Sequence, residues 1–369
     1  MNLENIDKIF TVGDLHFGIY NNALAWRDSQ IAYMLSIPEI AKSHGFNPHT
    51  DILVLLGDIF TIRESINVMI SNYVEDMFKE LAKFFVRGVY ILIGNHDTYY
   101  KDRNDINSLR MISNIAENIH VFQKPEPMYI NDRIECLMLP WVTDPAKTAS
   151  IISESPNAKY LFAHLEINGM TYDNGMKIEN GVNMETLKQF TRVYSGHIHK
   201  RDDNGFILYV GSPYQMERSD IGNQKGLYIL SVNDDVFDEV FVPNNMSPVF
   251  SKYDMYDILN MQACDIAGIL NNNYIDILTD RMLAAKMNFV SFSDMLKENN
   301  ILPKRIDFPT YNNNENGTVD IQYTGELNLF TIGIEILKFK KKTEKESKEI
   351  MDYFGTLMKK VTEKENEPV

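Results

Sequence analysis

The sequence predicts an α/β protein organised around a parallel sheet, and three observations support that prediction. Strand-like and helix-like segments alternate over the first hundred residues, which is the order of parallel strands joined by crossover helices. Residues 52–56 are apolar without alternation, as in a strand that is buried on both faces. Three strand-like runs end in a glycine followed by an acidic or amide residue, namely Gly13-Asp14, Gly57-Asp58 and Gly94-Asn95. Ligands collect where parallel strands end, so we expect a polar site there.

Local patterns predict each element of this first part. The predicted elements are, in chain order, a strand at 8–12, a helix at 25–43, a strand at 51–56, a helix at 64–86, a strand at 89–93 and a helix at 104–116. Pro38 is expected to interrupt or end the first helix, because proline cannot donate a backbone hydrogen bond. The second helix repeats its apolar side chains with the helical period and is therefore amphipathic.

Strands dominate the next part of the chain. The predicted elements are strands at 133–139, 160–163, 190–194 and 206–210, a helix at 144–154, and a hairpin of 226–231 with 236–242. Two of these strands are also followed directly by polar residues, which we call polar exits. His164 follows one strand and Gly196-His197-Ile198-His199 follows another. The turn-forming residues 243–248 predict a linker, so we expect the first domain to span 1–243.

Beyond the linker we predict a small α+β domain at 249–325 and a helical segment at 326–369. Helical patterns at 256–270 and 282–299 precede alternating apolar residues, which flank a hairpin loop at 312–317. Residues 338–348 are dense in charge. A one-sided apolar stripe follows, formed by Ile350, Phe354, Leu357, Met358 and Val361. A helix with this stripe must bury it, either on its own domain or on a partner.

Composition bounds the class of protein. The chain has 369 residues, 44% hydrophobic residues and a formal net charge of −15, which is enough for a sizeable core and argues against a surface that coats DNA. Bound metal ions or a local basic groove can still supply positive charge. Cys136 and Cys264 make no disulfide framework, so we expect a reduced cytoplasmic setting. We expect neither a signal peptide nor a membrane span.

The polar residues at the strand ends form a set with metal-binding chemistry. They are Asp14, His16, Asp58, Asn95, His96, His164, His197 and His199. Oxygen and nitrogen donors without thiolate suit Mn²⁺, Fe²⁺ or Zn²⁺ better than Ca²⁺, and the number of donors suits two ions. Two ions can stabilise an in-line displacement at phosphorus, and Asp58 is the best candidate to contact both.

Each of these signals alone has an ordinary explanation. A single Gly-Asp after a strand is usually a turn, and lone histidines such as His44, His49 and His120 are usually surface or core residues. The combination is specific, because Gly-Asp-Leu-His, Gly-Asp, Gly-Asn-His-Asp, a histidine at a strand end and Gly-His-Ile-His occur in this order.

This order of motifs over residues 1–242 resembles the calcineurin-like metallophosphoesterase superfamily. The chain length, the small second domain and the charged C-terminal helix resemble, within it, the SbcD/Mre-type DNA repair nucleases, including phage recombination endonuclease subunits. The resemblance implies a β-sandwich flanked by helices (αββα), a small α+β cap at 249–325 that positions DNA, and a C-terminal segment that binds an ATPase.

The resemblance also implies roles for single residues. Asp14, His16 and His199 would hold one ion, Asn95, His164 and His197 would hold the other, and Asp58 would bridge them. His96 would act on the scissile phosphate, and Asp97 would orient His96. The family uses manganese, so two Mn²⁺ ions are expected, with Mg²⁺ or another divalent ion as the alternative.

The chain departs from the family pattern in one place, because many of these nucleases carry a second histidine shortly after the bridging aspartate. Here Asp58 is followed by Ile59-Phe60-Thr61-Ile62-Arg63, so Thr61 or Arg63 is the candidate substitute. The segment that follows Gly94-Asn95-His96-Asp97 contains four candidates for stacking and phosphate contacts with DNA, namely Tyr99, Tyr100, Lys101 and Arg103. A surface loop of ordinary composition would look the same.

The function implied is a Mn²⁺-dependent DNA phosphodiesterase, a 3′-to-5′ exonuclease and single-strand endonuclease in recombination and double-strand-break repair. The helix at 344–361 would dock on an SbcC-type coiled-coil ATPase, with packing on its own domain as the alternative. The helices at 64–86 and 104–116 would form a homodimer, with core packing as the equal alternative. Two other functions stay open, a phosphoesterase for small molecules, cyclic nucleotides or phosphoproteins, and a non-catalytic scaffold for the ATPase.

Overall fold

Residues 1–280, 292, 296–313 and 319–322 are described by the computed structural model. The predicted C-terminal segment at 326–369, with its helix at 344–361, lies outside the described residues, as does most of the predicted helix at 282–299. The chain divides into two compact units, Met1–Phe250 and Ser251–Val369. The three predicted domain ranges and their separate roles stay predictions.

The first unit contains two sheets, in the part of the chain described. Its strands are β1 (Asn2–Leu3), β2 (Lys8–Val12), β3 (Ile52–Leu55), β4 (Val89–Leu92), β5 (Ile119–Phe122), β6 (Glu126–Ile130), β7 (Ile134–Leu139), β8 (Tyr160–His164), β9 (Arg192–Gly196), β10 (Asp202–Asp203), β11 (Ile207–Tyr209), β12 (Gly226–Asn233) and β13 (Val236–Pro243). Its helices are α1 (Ile19–Asn22), α2 (Leu24–Ser43), α3 (Val68–Phe84) and α4 (Pro145–Ser153).

Both sheets are mainly parallel around the strands that carry the polar exits. One has the strand order β13-β12-β2-β3-β4-β5, and β2, β3, β4 and β5 run parallel. The other has the order β1-β6-β7-β8-β9-β11-β10, and β7, β8, β9 and β11 run parallel. The predicted hairpin of β12 with β13 is confirmed, with Asn233 paired with Val236 next to the turn.

Successive side chains of a strand point to opposite faces of its sheet, and this alternation produces the layers of the first unit. Ile52 and Val54 on one face of β3 join the cluster of buried residues that also contains Met138 and Phe162 of the other sheet. Leu53, on the opposite face, joins a second cluster built with α2 and α3. A third cluster covers the outer face of the other sheet with α4 and its neighbouring loops. The result is the predicted sandwich of two sheets between helical layers, a mixed α/β fold.

The helix boundaries correct two predictions. α2 continues through Pro38, because Met34, Ile37 and Ala41 are buried around it. Burial of these side chains outweighs the cost of about 3 kcal/mol that proline imposes on a helix interior. α3 begins at Val68 rather than at residue 64, because the side chain of Asn67 accepts hydrogen bonds from the first free backbone amides and caps the helix.

The predicted helix at 104–116 is wrong. Only two short 3-10 turns form there, Ser108–Arg110 and Ile112–Asn114. Short polar side chains compete with helical hydrogen bonds in this segment, since Asn104 donates to the Trp141 carbonyl and Asn107 donates to the Asn104 carbonyl. The predicted homodimer therefore loses one of its two helices and stays a prediction for α3, where Val68 and Tyr73 are exposed.

The second unit has α+β character in the residues described. Its elements are β14 (Phe250–Asp254), which begins at the boundary, α5 (Met255–Asn260), α6 (Ala263–Leu270), β15 (Tyr274–Asp280), β16 (Arg305–Asp307), β17 (Thr310–Asn313) and β18 (Val319–Gln322). The single helix predicted at 256–270 is two helices, because the chain is extended at Met261 and Gln262 between them. β17 and β18 pair antiparallel, as the predicted hairpin requires.

The two-sheet packing predicts how valine-to-alanine substitutions affect stability. Val54 is 0% exposed between the sheets, whereas Val240 on the edge strand β13 is 46% exposed. Val54→Ala should lower the free energy of unfolding by about 2 kcal/mol, from the lost methyl groups and the cavity left behind. Val240→Ala is the matched control and should change it by less than about 0.5 kcal/mol. Equal losses in urea unfolding of both variants would contradict this packing.

Candidate metal centre

The centre lies where strands of both sheets end. Asp14, Asp58 and Asn95 follow β2, β3 and β4 of one sheet, while His164 ends β8 and His197 follows β9 of the other. The sandwich therefore brings the predicted polar exits to one edge. Four of the residues here have left-handed backbones, Asp14 (φ 27), His16 (φ 48), Asp58 (φ 51) and His197 (φ 88). Such backbone strain costs about 1–3 kcal/mol per residue and clusters at functional sites.

Close approach of the loops depends on two glycines. A Cβ at Gly94 would collide with the backbone and carboxylate of Asp58. A Cβ at Gly57 would lie 2.7 Å from both the Gly94 nitrogen and the His164 Nδ1. The Gly-Asp and Gly-Asn pairs are thus more than turn signals, because glycine lets three strand ends converge.

Each buried aspartate uses one carboxylate oxygen for the scaffold. Oδ1 of Asp14 accepts a hydrogen bond from the His197 backbone N–H at 2.8 Å, and Oδ1 of Asp58 accepts one from the His96 backbone N–H at 2.8 Å. Oδ2 of Asp58 lies 3.5 Å from His16 Nε2 and 3.4 Å from His164 Nε2. Asp58 therefore lies between the two predicted ligand groups, as a bridging carboxylate must.

The first predicted ligand group is assembled. Ligand atoms of Asp14, His16 and His199 all lie within 4.8 Å of one another. The Nε2 atoms of His16 and His199 are 2.9 Å apart, so two imidazole edges face the same point. Gln30 and Tyr214 support this loop from behind, because both donate hydrogen bonds to the Leu15 carbonyl.

The second predicted ligand group is assembled as well. Ligand atoms of Asp58, His164 and His197 lie within 4.8 Å of one another. The side-chain oxygen of Asn95 lies 2.9 Å from His164 Nε2 and 2.8 Å from His197 Nδ1. The other nitrogen of His164 donates to the Leu56 carbonyl at 2.7 Å, which directs Nε2 toward the group.

Burial alone makes the first group unfavourable without a cation. It raises the pKa of Asp14 to about 8 and lowers the pKa of His16 to about 4. It also lowers the pKa of His199 well below its ordinary value. Burial thus favours the neutral forms of all three groups, and binding of a cation would release the proton of Asp14.

His164 and Asp58 have pKa values set by each other. Burial is the largest single effect on the pKa of His164 and lowers it, but the Asp58 carboxylate, together with Asp14 and the hydrogen bond to the Leu56 carbonyl, raises that pKa to about 9. Burial likewise raises the pKa of Asp58, yet His164 holds it below its ordinary range. The two groups form an ion pair in which a divalent cation can replace the proton of His164.

The donor set fits divalent metal ions. In the part of the chain described, the Oδ2 atom of Asp14 is buried and has no hydrogen-bonding partner. A buried carboxylate oxygen without a partner is costly, and a bound cation removes that cost. The remaining donors are imidazole nitrogens and amide or carboxylate oxygens, which suit transition-metal ions. These residues therefore fit the metal site that the sequence predicted.

His96 lies beside the group rather than in it. Its Nδ1 donates to the Thr61 carbonyl at 2.7 Å, and its ring meets that of His16 edge to face with centroids 5.0 Å apart. Among described residues, its Nε2 has no hydrogen-bonding partner. The Thr61 hydroxyl donates to the His16 carbonyl at 2.8 Å, so it is already committed to the scaffold. Arg63 is half-buried on the same loop, and its role as a substitute for the second histidine stays a prediction.

The predicted role of Asp97 needs correction. Its Oδ2 accepts from the Gly94 backbone N–H at 2.9 Å, and its Oδ1 accepts from the N–H groups of Ile59 and Phe60 at 2.9 and 3.2 Å. Its carboxylate thus ties two loops together, and the Thr61 carbonyl orients His96 instead. Burial, followed by the charge of Asp58, raises the pKa of Asp97 to about 7.

The four predicted DNA contacts lie on an exposed loop. Tyr99 and Tyr100 meet edge to face with ring centroids 4.9 Å apart, and the Arg103 guanidinium lies 4.1 Å from the Tyr100 ring centroid. Lys101 is also exposed. Their role in DNA binding stays a prediction.

Sequence reasoning missed three residues whose side chains lie against the imidazole rings of His197 and His199. Glu166 accepts from His197 at 3.0 Å, the Trp141 ring stacks on His197 with centroids 5.0 Å apart, and Asp173 lies 3.7 Å from His199 Nδ1. The hydrogen bond with His197 lowers the pKa of Glu166. Glu166 lies two residues after His164, so the spacing that relates Asp14 to His16 was an available signal.

The chain is similar in sequence to known proteins over the residues that form this centre. Residues 8–201 match the sequence model of the calcineurin-like phosphoesterases, and this range contains every predicted ligand. Exonuclease subunit 1 of Enterobacteria phage T4 is 25% identical over 277 residues, 72% of this chain and 78% of that protein. The SbcD component of nuclease SbcCD from Staphylococcus epidermidis is 24% identical over 274 residues, 64% of this chain and 69% of that protein.

A solved structure was also matched. A protein serine/threonine phosphatase from Saccharomyces cerevisiae aligns at 14% identity with a TM-score of 0.36, covering 67% of this chain and 85% of that one. Along the residues that the structure describes, no helix is long and apolar enough to cross a membrane.

The buried Asp14 oxygen that lacks a hydrogen-bonding partner in the described part of the chain predicts that a bound metal ion stabilises the folded protein. Mn²⁺ added to metal-free protein should raise the melting temperature, because an ion that binds only the folded state stabilises it. Asp14→Asn should remove the part of this increase that comes from the ion held by Asp14, His16 and His199. Asp51→Asn is the matched control, since Asp51 is equally buried but lies at the opposite end of β3. An unchanged increase in Asp14→Asn would contradict the site.

The revised role of Asp97 predicts a loss of stability. Asp97→Asn turns an NH₂ group toward the Gly94 N–H, so one buried donor loses its acceptor at a cost of about 1–3 kcal/mol. Urea unfolding of the metal-free protein measures this cost. Asp102→Asn, an exposed neighbour on the same loop, is the control. If Asp97→Asn kept the stability of wild type but lost cleavage activity, the predicted role of Asp97 in orienting His96 would instead be supported.

Proposed function

The chain belongs to the calcineurin-like phosphoesterase family, and on that premise we propose that it is a two-metal hydrolase that cleaves phosphodiester bonds in DNA. The observation that carries the proposal is the pair of ligand groups that share Asp58, with a buried and unpartnered oxygen of Asp14 in one of them.

The residues that would hold the ions follow from the two groups. Asp14, His16 and His199 would hold one, Asn95, His164 and His197 the other, and Asp58 both. Two bound ions supply charge stabilisation for the phosphate oxygens during an in-line displacement. Manganese is the ion that we propose, because the resemblance to this family implies it and the mixed imidazole and oxygen donors accommodate it.

The protein's own chemistry centres on His96. Because its Nδ1–H is held by the Thr61 carbonyl, its Nε2 is left to meet the substrate. That nitrogen can donate a proton to the departing oxygen or hydrogen-bond a phosphate oxygen when the ring is protonated. His96 and the ligand Asn95 are adjacent in sequence, so one strand end carries both metal binding and proton transfer.

DNA as the substrate is supported by the curated relatives, which are named as a nuclease subunit and an exonuclease subunit. We propose the same substrate here, cleaved as a 3′-to-5′ exonuclease and as a single-strand endonuclease in recombination and repair. The net charge of −15 favours a small phosphate ester as the alternative substrate, since phosphate binding otherwise draws on basic residues.

A partner ATPase is the second part of the proposal. Both relatives are named as subunits, which supports an assembly for this chain too. The helix at 344–361, predicted from the one-sided apolar stripe and lying outside the described residues, is the segment that we propose docks on a coiled-coil ATPase.

Substitutions should separate metal binding from chemistry. His96→Ala should lower cleavage of defined DNA ends with Mn²⁺ by about 10²–10⁴-fold, the usual contribution of a positioned acid or base, while both metals stay bound. Asp58→Asn should lose metal and cleavage together. His49→Ala, an exposed histidine away from the centre, is the control.

The readouts are nuclease rates on labelled duplex and single strands, and metal content by elemental analysis. Loss of metal in His96→Ala would make His96 a ligand rather than a catalyst. Faster hydrolysis of a mononucleotide ester than of DNA would favour the small-molecule alternative. Wild-type rates in Asp58→Asn would contradict the metal assignment.

Truncation should separate the centre from the partner. A chain that ends at Lys340 should keep Mn²⁺-dependent cleavage of DNA and lose co-purification with the coexpressed ATPase, because the apolar stripe is removed. A full-length variant with Phe354→Asp and Leu357→Asp tests the stripe itself. Persistent co-purification in both would refute this docking site.

A further inference from the structure

Glu166 lies on the loop that follows β8, next to the candidate ligand His164. Its carboxylate accepts a hydrogen bond from the Nε2 of His197 at 3.0 Å, and Tyr172 donates a second hydrogen bond to it. The loop is fixed in turn, because the buried Tyr209 hydroxyl donates to the Leu165 carbonyl at 3.1 Å. Glu166 is therefore held at a defined place beside the imidazole.

This contact decides which nitrogen of His197 can bind a metal. An ionised carboxylate only accepts hydrogen bonds, so the ring proton of a neutral His197 belongs on Nε2. The lone pair is then on Nδ1, which lies 2.8 Å from the Asn95 side-chain oxygen inside the ligand group. Trp141 stacks on the ring face, at 5.0 Å between centroids, and limits its rotation.

The contact differs from those of the other histidines. His164 and His96 donate Nδ1–H to backbone carbonyls, of Leu56 and Thr61, and present Nε2. Asp173 is 3.7 Å from His199 Nδ1, too long for a hydrogen bond, and its Oδ1 accepts from the Lys200 backbone. Within the described chain, His197 is the ligand candidate that combines a charged acceptor with an Nδ1 facing the group.

We propose that Glu166 is a positioning residue that fixes the tautomer and orientation of His197 for metal binding at the group with Asn95 and His164. The inference rests on the proposed two-metal function. Carboxylates behind metal-bound imidazoles raise the basicity of the ligand, and their removal typically weakens metal binding by 10–100-fold.

The test is a titration of the metal-free, full-length protein with Mn²⁺ by calorimetry. Wild type should bind two ions. Glu166→Ala should weaken one of the two binding events by about 10–100-fold and leave the other unchanged. Glu166→Gln keeps an oxygen that can accept from Nε2–H but lacks the charge, so its loss should be intermediate. Glu179→Ala, an exposed glutamate on the same loop, should match wild type.

A second measurement separates positioning from folding. The melting temperature of the metal-free Glu166→Gln variant should equal that of wild type, while its affinity for Mn²⁺ at one site falls. Equal Mn²⁺ affinities in wild type, Glu166→Gln and Glu166→Ala would overturn the inference. So would a loss of affinity matched by a lower melting temperature in Glu166→Gln. Failure of wild type to bind Mn²⁺ would instead refute the proposed function.

Discussion

Burial of two carboxylates at the strand ends is the constraint on which the rest of the structure depends. Asp14 and Asp58 are 0% and 1% exposed, and a carboxylate without water or a partner is costly. The scaffold satisfies one oxygen of each with a backbone N–H from a neighbouring loop. The second oxygen of Asp58 faces the imidazoles of His16 and His164, and that of Asp14 has no hydrogen-bonding partner among the described residues. This arrangement becomes favourable when divalent cations occupy it.

The two-sheet architecture serves this constraint. The oxygen ligands follow strands of one sheet, and most of the imidazoles follow strands of the other. The apolar core between the sheets therefore sets the distance between the oxygen ligands and these imidazoles. Left-handed backbones at Asp14, His16, Asp58 and His197 are strained, and the packed strands hold them. Asp97 adds the cross-links between the Gly94 and Ile59 loops that keep Asp58 in place.

Sequence patterns predicted what depends on local signals. Continuous apolar runs such as 52–56 predicted the parallel strands, and the Gly-Asp and Gly-Asn pairs marked where these strands end. The roles of Asp97 and Glu166 were missed or misassigned because they depend on tertiary contacts, in which a carboxylate meets loops 30 or more residues away. The prediction of a helix at 104–116 was wrong because asparagine side chains form hydrogen bonds with backbone groups there. The spacing of apolar residues does not reveal such hydrogen bonds.

The central claim is that Asp58 lies between two metal ions, and anomalous diffraction tests it most directly. Crystals grown with Mn²⁺ and measured at the manganese edge should show two peaks, one beside His16 and His199 and the other beside Asn95 and His164. Both peaks should lie within bonding distance of the Asp58 carboxylate. A single peak, or two peaks of which neither contacts Asp58, would contradict the account.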